Sequence, residues 1–470
     1  MENLTLTKYS LNKNEGKKMN IRIGIIILSL LCVSLMAIGE EAWMVGVAVS
    51  DITPPTGIWL AGYAMREHPA DGVIHSLWVK AMAIQDAQKK TVVIISSDIL
   101  GFPAELSQKI KRSIKDKKGI EPADIILNSS HTHSGPVIYK SLLSLYPIEE
   151  GSEAMNMIKD YTNELENKVV DTIVNAIDNI EPAKLYRGNG IVRFAVNRRN
   201  NNESKIEDTY DLKGPIDHTV TIIVSKNAQD GSVQAIVFGY ACHATTLSGY
   251  QWCGDYPGFA QIELEKIYPA TKALFVAGCG ADINPLPRRT VALAQQYGKE
   301  LACAVVRAME DTLQELKPSI KTCLETVDLP LETPITKEEL MQIYKDNNRE
   351  GYIRRSANDM LKDLEQGIPL PTSYPYPIQV WNIGGLPMIV LGGEVVVDYA
   401  IRIKQEVANK AMVLGYSNDL MSYIPSARII KEGGYEGDTS QLEYKMPAKW
   451  KEEIEELIIN TIARLWNQIK

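Results

Sequence analysis

The stretch over residues 124–136 constrains the fold of this chain more than any other. It opens with a short apolar run, residues 125–127, which predicts a buried strand, and it closes with Ser-Gly-Pro, which cannot continue one. His131 and His133 lie between these ends, so an extended chain would project both imidazoles to the same face. Imidazole is the commonest protein ligand for zinc, although an isolated His-x-His is as often a pair of polar residues at a strand end. The stretch therefore predicts a strand that carries two candidate metal ligands.

The residues before this strand indicate its topology. Residues 91–96 have the composition of a buried strand, and residues 104–118 have helical spacing with a charged face. A strand–helix–strand crossover makes the two strands parallel in nearly all cases, so Asp98 and His131 are expected at one carboxyl edge. Strands and helices alternate irregularly along the rest of the chain. The sequence therefore predicts a mixed α/β fold, with a central mixed β-sheet flanked by helices.

Composition excludes one class of function and limits the domain count. The chain has 470 residues and a net charge of −8, with no basic patch for nucleic acid. No linker interrupts residues 40–470, which are predicted to form one domain. The cysteines form no Cys-x-x-Cys, which argues against a thiolate zinc site, and Cys242 with Cys253 is a candidate disulfide in an exported protein.

The N-terminal segment is predicted to be a targeting signal rather than part of the fold. Basic residues precede an almost uninterrupted apolar run over residues 23–38, and Met19 is a candidate translation start. Ala37 and Gly39 complete the pattern of a signal peptide over residues 1–39, which predicts a soluble mature protein that is secreted or periplasmic. The alternative is an uncleaved N-terminal membrane anchor, for which the apolar run is a little short.

Two later strand ends carry further candidate ligands. The predicted strand over residues 233–240 is followed by His243, and the one over residues 388–391 is followed by two glycines and Glu394. Nitrogen and oxygen ligands, with one position left open for water, are what a catalytic zinc needs.

A charged and helical stretch over residues 337–364 leads into proline-rich residues 369–377. It is either a lid or insertion, or a solvated helical hairpin.

Together these stretches resemble the neutral, non-lysosomal ceramidases, which are zinc-dependent amidases that hydrolyse the N-acyl bond of ceramide. The matching stretches occur in the family's order and span most of residues 45–440. They are Ser50-Asp-Ile-Thr-Pro-Pro55, Leu60-Ala-Gly-Tyr63, Ser97-Asp98, Ser130-His-Thr-His-Ser-Gly-Pro136, Asn197-Arg198, His243-Ala-Thr-Thr246, Gly254-Asp-Tyr-Pro-Gly258, Asp282-Ile-Asn-Pro285, Gly393-Glu394, and Tyr423 with Tyr435-Glu436-Gly437.

The resemblance implies a role for individual residues. It implies four zinc ligands: His131, His243, Glu394 and Tyr423. It also implies three catalytic residues around the scissile amide: His133, Arg198 and Tyr435. Zinc-bound water would attack the amide of a lipid or other small substrate, His133 would protonate the leaving amine, and the other two would stabilise the oxyanion. Asp98 and Asp255 are expected to orient the imidazoles.

The chain departs from the family pattern in two places that bear on the substrate. It ends before the β-sandwich that follows the catalytic part of longer relatives, and Ile424-Pro425-Ser426 follows Tyr423 where threonines are common. One alternative is therefore a zinc hydrolase of the same fold that acts on another amide, an ester or a decorated carbohydrate. Another is a binding protein without catalysis. An apolar slot at the metal would favour an acyl-sphingosine, whereas an aromatic and carboxylate-lined cleft would favour a sugar.

Overall fold

A computed structural model describes residues 42–470, of which Trp43–Lys470 form one compact unit. The predicted signal peptide lies outside the described residues. Among the described helices, none combines the length and the apolar composition that a bilayer span requires.

The strands are β1 (Trp43–Asp51), β2 (Gly72–Val73), β3 (Trp78–Gln85), β4 (Thr91–Ser97), β5 (Ile125–Ser129), β6 (Glu181–Ile191), β7 (Ala195–Asn197), β8 (Thr219–Asn227), β9 (Val233–Tyr240), β10 (Gln251–Trp252), β11 (Lys272–Ala277), β12 (Ile283–Pro285), β13 (Gln314–Glu315), β14 (Ile320–Pro330), β15 (Ser373–Ile383), β16 (Leu386–Leu391), β17 (Glu394–Val395), β18 (Met412–Leu414) and β19 (Tyr423–Ile424). The helices are α1 (Ala104–Lys118), α2 (Glu153–Asp178), α3 (Asp255–Ile267), α4 (Val291–Glu310), α5 (Lys337–Lys345), α6 (Gly351–Glu365), α7 (Val397–Arg402), α8 (Ala427–Glu432) and α9 (Ile454–Ile469).

The larger sheet is mixed and has nine strands among the described residues. Its order is β11-β9-β8-β6-β1-β3-β4-β5, with β13 paired to β6. β4 and β5 are parallel, and α1 lies between them in the chain, so the predicted strand–helix–strand unit is confirmed. The parallel register ends at Ser97 opposite Ser129, which places Asp98 and His131 at the same edge, as predicted.

The sheet curls until β11, at one end of the strand order, lies against β3, β4 and β5. Buried side chains of these three strands bind successive main-chain groups of β11: Lys80 to Ala273, Ser96 to Phe275 and Asn128 to Ala277. The Asn128 side chain binds the main chain of Ala277 as a neighbouring strand would. Its amide donates to the Ala277 carbonyl at 3.3 Å, and its Oδ1 accepts from the Ala277 N–H at 2.8 Å. The carboxyl ends of β5 and β11 are therefore held side by side, just before the loops that carry the candidate ligands.

A second sheet, of order β14-β15-β16-β18, packs against the first. Buried apolar side chains from both sheets, such as Trp43, Leu274, Trp381 and Met388, fill the space between them. α9 covers the outer face of the second sheet, and α1 to α4 cover the outer face of the first. The result is a four-layer arrangement of helices, sheet, sheet and helices. A mixed sheet flanked by helices is confirmed, while the second sheet was not distinguished in the sequence.

The stretch over residues 337–364 forms two helices, α5 and α6, that pack on each other. Thr336 caps α5 in a capping box with Glu339, and a small apolar cluster lies between the helices. Arg355 attaches α6 to the body of the protein, because its guanidinium donates to the carbonyls of Ser144 and Leu145 at 2.8 and 2.9 Å. The hairpin therefore packs on the body of the protein rather than standing alone in solvent.

Cys242 and Cys253, the candidate disulfide pair, are not bonded to each other. All five cysteines of the described residues are free thiols. Cys253 Sγ instead lies 3.2 Å from Nε2 of His75, because the β2–β10 pairing brings these two segments together.

Candidate metal centre

His131 lies in the loop immediately after β5, and its backbone conformation sets the direction of its ring. The strand ends at Ser129, and His131 itself has a φ of +58°, in the left-handed region. Its N–H donates to the carbonyl of Ile99 at 3.1 Å, and its ring Nδ1 lies 2.7 Å from the carbonyl of Leu100. The rings of His131 and His133 do converge, as predicted. The predicted reason, an extended backbone, is wrong for His131.

His243 follows β9 and is anchored in the same way. Its N–H donates to the carbonyl of Ile283 at 3.0 Å, and its ring Nδ1 lies 2.8 Å from the carbonyl of Gly280. Gly280 tolerates no side chain, because a Cβ there would lie 2.5 Å from the backbone N of Cys242. Burial lowers the pKa of His243 to about 4, so the imidazole is neutral at physiological pH.

Glu394 enters the site from the second half of the chain. It follows Gly393, whose φ of +73° suits glycine, and it pairs in parallel with Tyr423 across β17 and β19. Its Oε2 lies 3.0 Å from Nε2 of His243 and 3.3 Å from Nε2 of His131. Its Oε1 accepts a hydrogen bond from the hydroxyl of Tyr444.

These three side chains form a set of converging lone pairs. Each Nδ1 of His131 and His243 donates to a carbonyl, so in the neutral ring the lone pair is on Nε2. Both lone pairs face the carboxylate oxygen of Glu394, and all three side chains are almost fully buried. Three acceptors at these distances repel one another unless a proton or a metal cation lies among them. Two imidazoles and a carboxylate are a donor set that zinc accepts.

His133 completes a cluster of three histidines whose ligand nitrogens lie within 4.8 Å of one another. Its Nε2 is 3.3 Å from Nε2 of His131, and its ring packs against Tyr63 with the ring centroids 4.6 Å apart. Its Nδ1 is buried and has no hydrogen-bond partner among the described residues, unlike Nδ1 of the other two histidines. Burial and the two neighbouring imidazoles lower the pKa of His133 well below its ordinary value.

Arg66, which no motif indicated, fixes the backbone at His133. Its guanidinium is buried and donates to the carbonyls of His133 at 2.6 Å and of Gly249 at 3.1 Å.

Arg198, Tyr423 and Tyr435 form the outer side of the site. Arg198 donates to the phenol oxygen of Tyr423 at 3.2 Å, and its Nε binds Glu436 at 2.7 Å. The Tyr435 ring lies 5.3 Å from the Tyr423 ring and 5.7 Å from the Arg198 guanidinium carbon. Burial and the charge of Glu394 raise the pKa of Tyr423 well above its ordinary value. Tyr435 is 41% exposed, which makes it the rim of the site.

All seven residues that the sequence predicted are thus brought together in one site, which they share with two side chains that it did not predict. Tyr444 binds Glu394, and Glu443 accepts the Tyr435 hydroxyl at 2.9 Å. Neither residue lies in a recognisable motif, and each is close to the site only because the chain after Tyr435 turns back.

The prediction that Asp98 and Asp255 orient the imidazoles is wrong. Backbone carbonyls hold both rings, while Asp98 accepts from the Trp78 N–H at 3.0 Å and Asp255 accepts from the Leu247 N–H at 2.9 Å. Asp98 therefore binds the first residue of β3, and Asp255 binds the loop after His243, so neither binds an imidazole of the cluster.

Comparison with known proteins places the chain in a family. Residues 43–284 match the family described as neutral/alkaline non-lysosomal ceramidase, N-terminal. Among curated relatives, neutral ceramidase B of Dictyostelium discoideum is 26% identical over 269 residues, which cover 53% of this chain and 36% of that protein. Neutral ceramidase 1 of Arabidopsis thaliana is 23% identical over 268 residues, which cover 55% and 33%. The match therefore spans about a third of the length of these relatives.

Two solved structures share the fold over nearly the whole chain. One, described as ceramidase complexed with C2, has a TM-score of 0.69 at 16% identity and covers 92% of this chain and 76% of its own. The other, neutral ceramidase from Pseudomonas aeruginosa, has a TM-score of 0.67 at 17% identity and covers 92% and 75%. With the family match over half of its length, the chain belongs to the neutral/alkaline non-lysosomal ceramidases.

Proposed function

We propose that this protein is a zinc-dependent amidohydrolase that cleaves the N-acyl bond of ceramide or a related N-acyl lipid. The observation that carries the proposal is the convergence of two imidazole lone pairs and a buried carboxylate on one point. His131, His243 and Glu394 would hold the metal, with the phenol oxygen of Tyr423 as the fourth ligand. Family membership supports the reaction class, since relatives are named neutral ceramidases.

Bound zinc would polarise the amide carbonyl and lower the pKa of a water molecule. The protein itself supplies the proton transfers. His133 is neutral at rest, and its Nε2 lies beside the proposed ligands, so it can accept a proton from the attacking water. It can then pass that proton to the leaving nitrogen, which must be protonated before it departs as an amine.

Arg198 and Tyr435 would stabilise the negative charge that develops on the carbonyl oxygen. Arg198 is held in place by Glu436, and its permanent charge needs no reorganisation during the reaction. One preorganised oxyanion donor typically contributes about 3 kcal/mol to catalysis. Export through the predicted signal peptide would bring the enzyme to lipid substrates outside the cytoplasm.

Metal analysis together with hydrolysis of a fluorescent short-chain ceramide tests the proposal. We expect one zinc per chain, loss of hydrolysis after chelation, and recovery when zinc is restored. Glu394→Gln should lose both zinc and hydrolysis, whereas Glu365→Gln, at an exposed residue near the end of α6, should keep both. Full hydrolysis by protein shown to be free of metal would refute the proposal.

A further inference from the structure

A groove begins at the rim of the metal centre and runs between the α5–α6 hairpin and the segment that follows Tyr435. We name it the hairpin groove, and its volume is about 460 Å³, within the range of roughly 300–1,000 Å³ for small-molecule sites. Its polar and aromatic lining comprises Arg349, Glu350 and Tyr352 from the hairpin, and Tyr435, Asp438 and Glu443 from the facing segment. Apolar side chains, Ile353 and Met446 among them, line the rest of it. Tyr435 belongs both to the groove and to the outer side of the metal centre, so the groove begins beside that site.

The lining combines charges of both signs with aromatic rings. Glu350 and Asp438 are exposed carboxylates, Arg349 is an exposed cation, and none of the three forms an ion pair with another residue of the groove. An alkyl chain in this groove would remove these groups from water and offer them no hydrogen bond in return. A sugar ring suits them better, since each hydroxyl both donates and accepts while the C–H face packs on an aromatic ring.

The hairpin wall is held in place before any ligand arrives. The Ser356 hydroxyl donates to the carbonyl of Leu442, next to Glu443, and Arg355 donates to the carbonyls of Ser144 and Leu145. A fixed wall reduces the entropy that binding must otherwise overcome.

We infer that the hairpin groove is a subsite for a sugar ring carried by the N-acyl substrate. The inference rests on the proposed function, because it assigns a substrate class to the same metal centre. Two kinds of molecule carry this chemistry: a ceramide with a sugar on its primary hydroxyl, and an amino sugar acylated on its nitrogen. Hydrolysis of either kind consumes one water and releases a fatty acid. The other product is a sphingoid amine that carries a sugar in the first case, and the free amino sugar in the second.

A matched set of substrates tests the inference. It contains C6-ceramide, the glucosylated form of the same C6-ceramide, and N-hexanoylglucosamine. We expect kcat/KM for at least one sugar-bearing substrate to exceed that for C6-ceramide by tenfold or more. Glu350→Gln and Tyr352→Ala should bring that ratio near one, and Glu365→Ala, on the same hairpin but outside the groove, should leave it unchanged. The preferred sugar-bearing compound shows whether the natural substrate is a glycosylated ceramide or an N-acylated amino sugar.

The failures of the two proposals differ. Hydrolysis of all three substrates at equal rates, or a preference for plain C6-ceramide, would overturn the groove assignment and leave the amidohydrolase proposal intact. If folded, zinc-loaded protein hydrolyses none of them, the proposed function fails. Calorimetric titration with methyl β-cellobioside then decides the groove: binding that Tyr352→Ala abolishes supports a sugar site, and no binding overturns it.

Discussion

Alanine substitution at His131 and at His133 should separate metal binding from proton transfer. His131 and His243 are each anchored through Nδ1 to a backbone carbonyl, and both face Glu394. His133 has no such anchor, although its Nε2 lies only 3.3 Å from Nε2 of His131. We therefore expect His131→Ala to lose zinc and activity together. His133→Ala should keep about one zinc per chain, because the anchored ligands remain in place.

The loss of turnover in His133→Ala can be bounded. A positioned general acid or base contributes about 10²–10⁴-fold to a rate, which corresponds to roughly 3–5 kcal/mol of activation free energy. We expect kcat to fall within that range at unchanged zinc content. Metal stoichiometry by mass spectrometry and kcat on a fluorescent short-chain ceramide measure the two quantities. His68→Ala is a matched control, because His68 is exposed and contacts Tyr250 away from the cluster.

The closeness of all three histidines allows a different ligand set, and the same experiment distinguishes it. If His133 were a ligand, His133→Ala would be purified without zinc and would resemble His131→Ala. A metal-free His133→Ala protein would refute the division of roles argued above. Retained zinc with unchanged kcat would refute the assignment of proton transfer to His133.

Two further predictions concern support of the site and stability. Tyr444→Phe removes the hydroxyl that binds Glu394 and should weaken zinc affinity about 10–100-fold, measured by competition with a chelator. Tyr374→Phe, which removes a hydrogen bond to Asp419, is the control and should leave zinc affinity unchanged. Equal affinities of the two variants would contradict the role of Tyr444 in holding Glu394. Burial lowers the pKa of Lys111 from 10.5 to about 7, so the unfolded chain binds the extra proton and stability falls as pH drops from 10.5 towards 7. Lys111→Met should abolish this pH dependence and raise the free energy of unfolding at pH 7 by at most about 5 kcal/mol. Denaturant titration at several pH values measures both effects. A pH dependence of stability that is unchanged in the variant would contradict the assignment to Lys111.

Local patterns predicted the strands and helices that deliver the histidines. The apolar run at residues 125–127, followed by a turn, correctly indicated a buried strand, and the helix before it correctly indicated a parallel neighbour. The reason given for the convergence of His131 and His133 was wrong, because His131 has left-handed backbone rather than extended chain. That conformation depends on the hydrogen bond from His131 to Ile99, a contact that no local pattern reports.

Some residues and strands were not predicted because their positions depend on contacts between distant parts of the chain. Tyr444 and Glu443 bind Glu394 and Tyr435, but their positions depend on how the chain returns after Tyr435. The second sheet was not predicted either, because a strand that is buried on both faces has the same apolar composition whichever sheet it joins. Asp98 was predicted to bind an imidazole, but the backbone carbonyl of Leu100 binds His131 and Asp98 binds Trp78. Every residue type has a backbone carbonyl, so the sequence could not indicate this partner.

The spread of the converging side chains along the chain has a consequence for biosynthesis. His131 and His243 are made early, in the part of the chain that matches the family, while Glu394 lies 151 residues after His243. A nascent chain that has emerged only to residue 284 therefore offers two imidazoles without the carboxylate that faces them. Contacts over such distances form late, because a large loop must close before they contribute. Metal binding that needs Glu394 would then follow the docking of the second sheet.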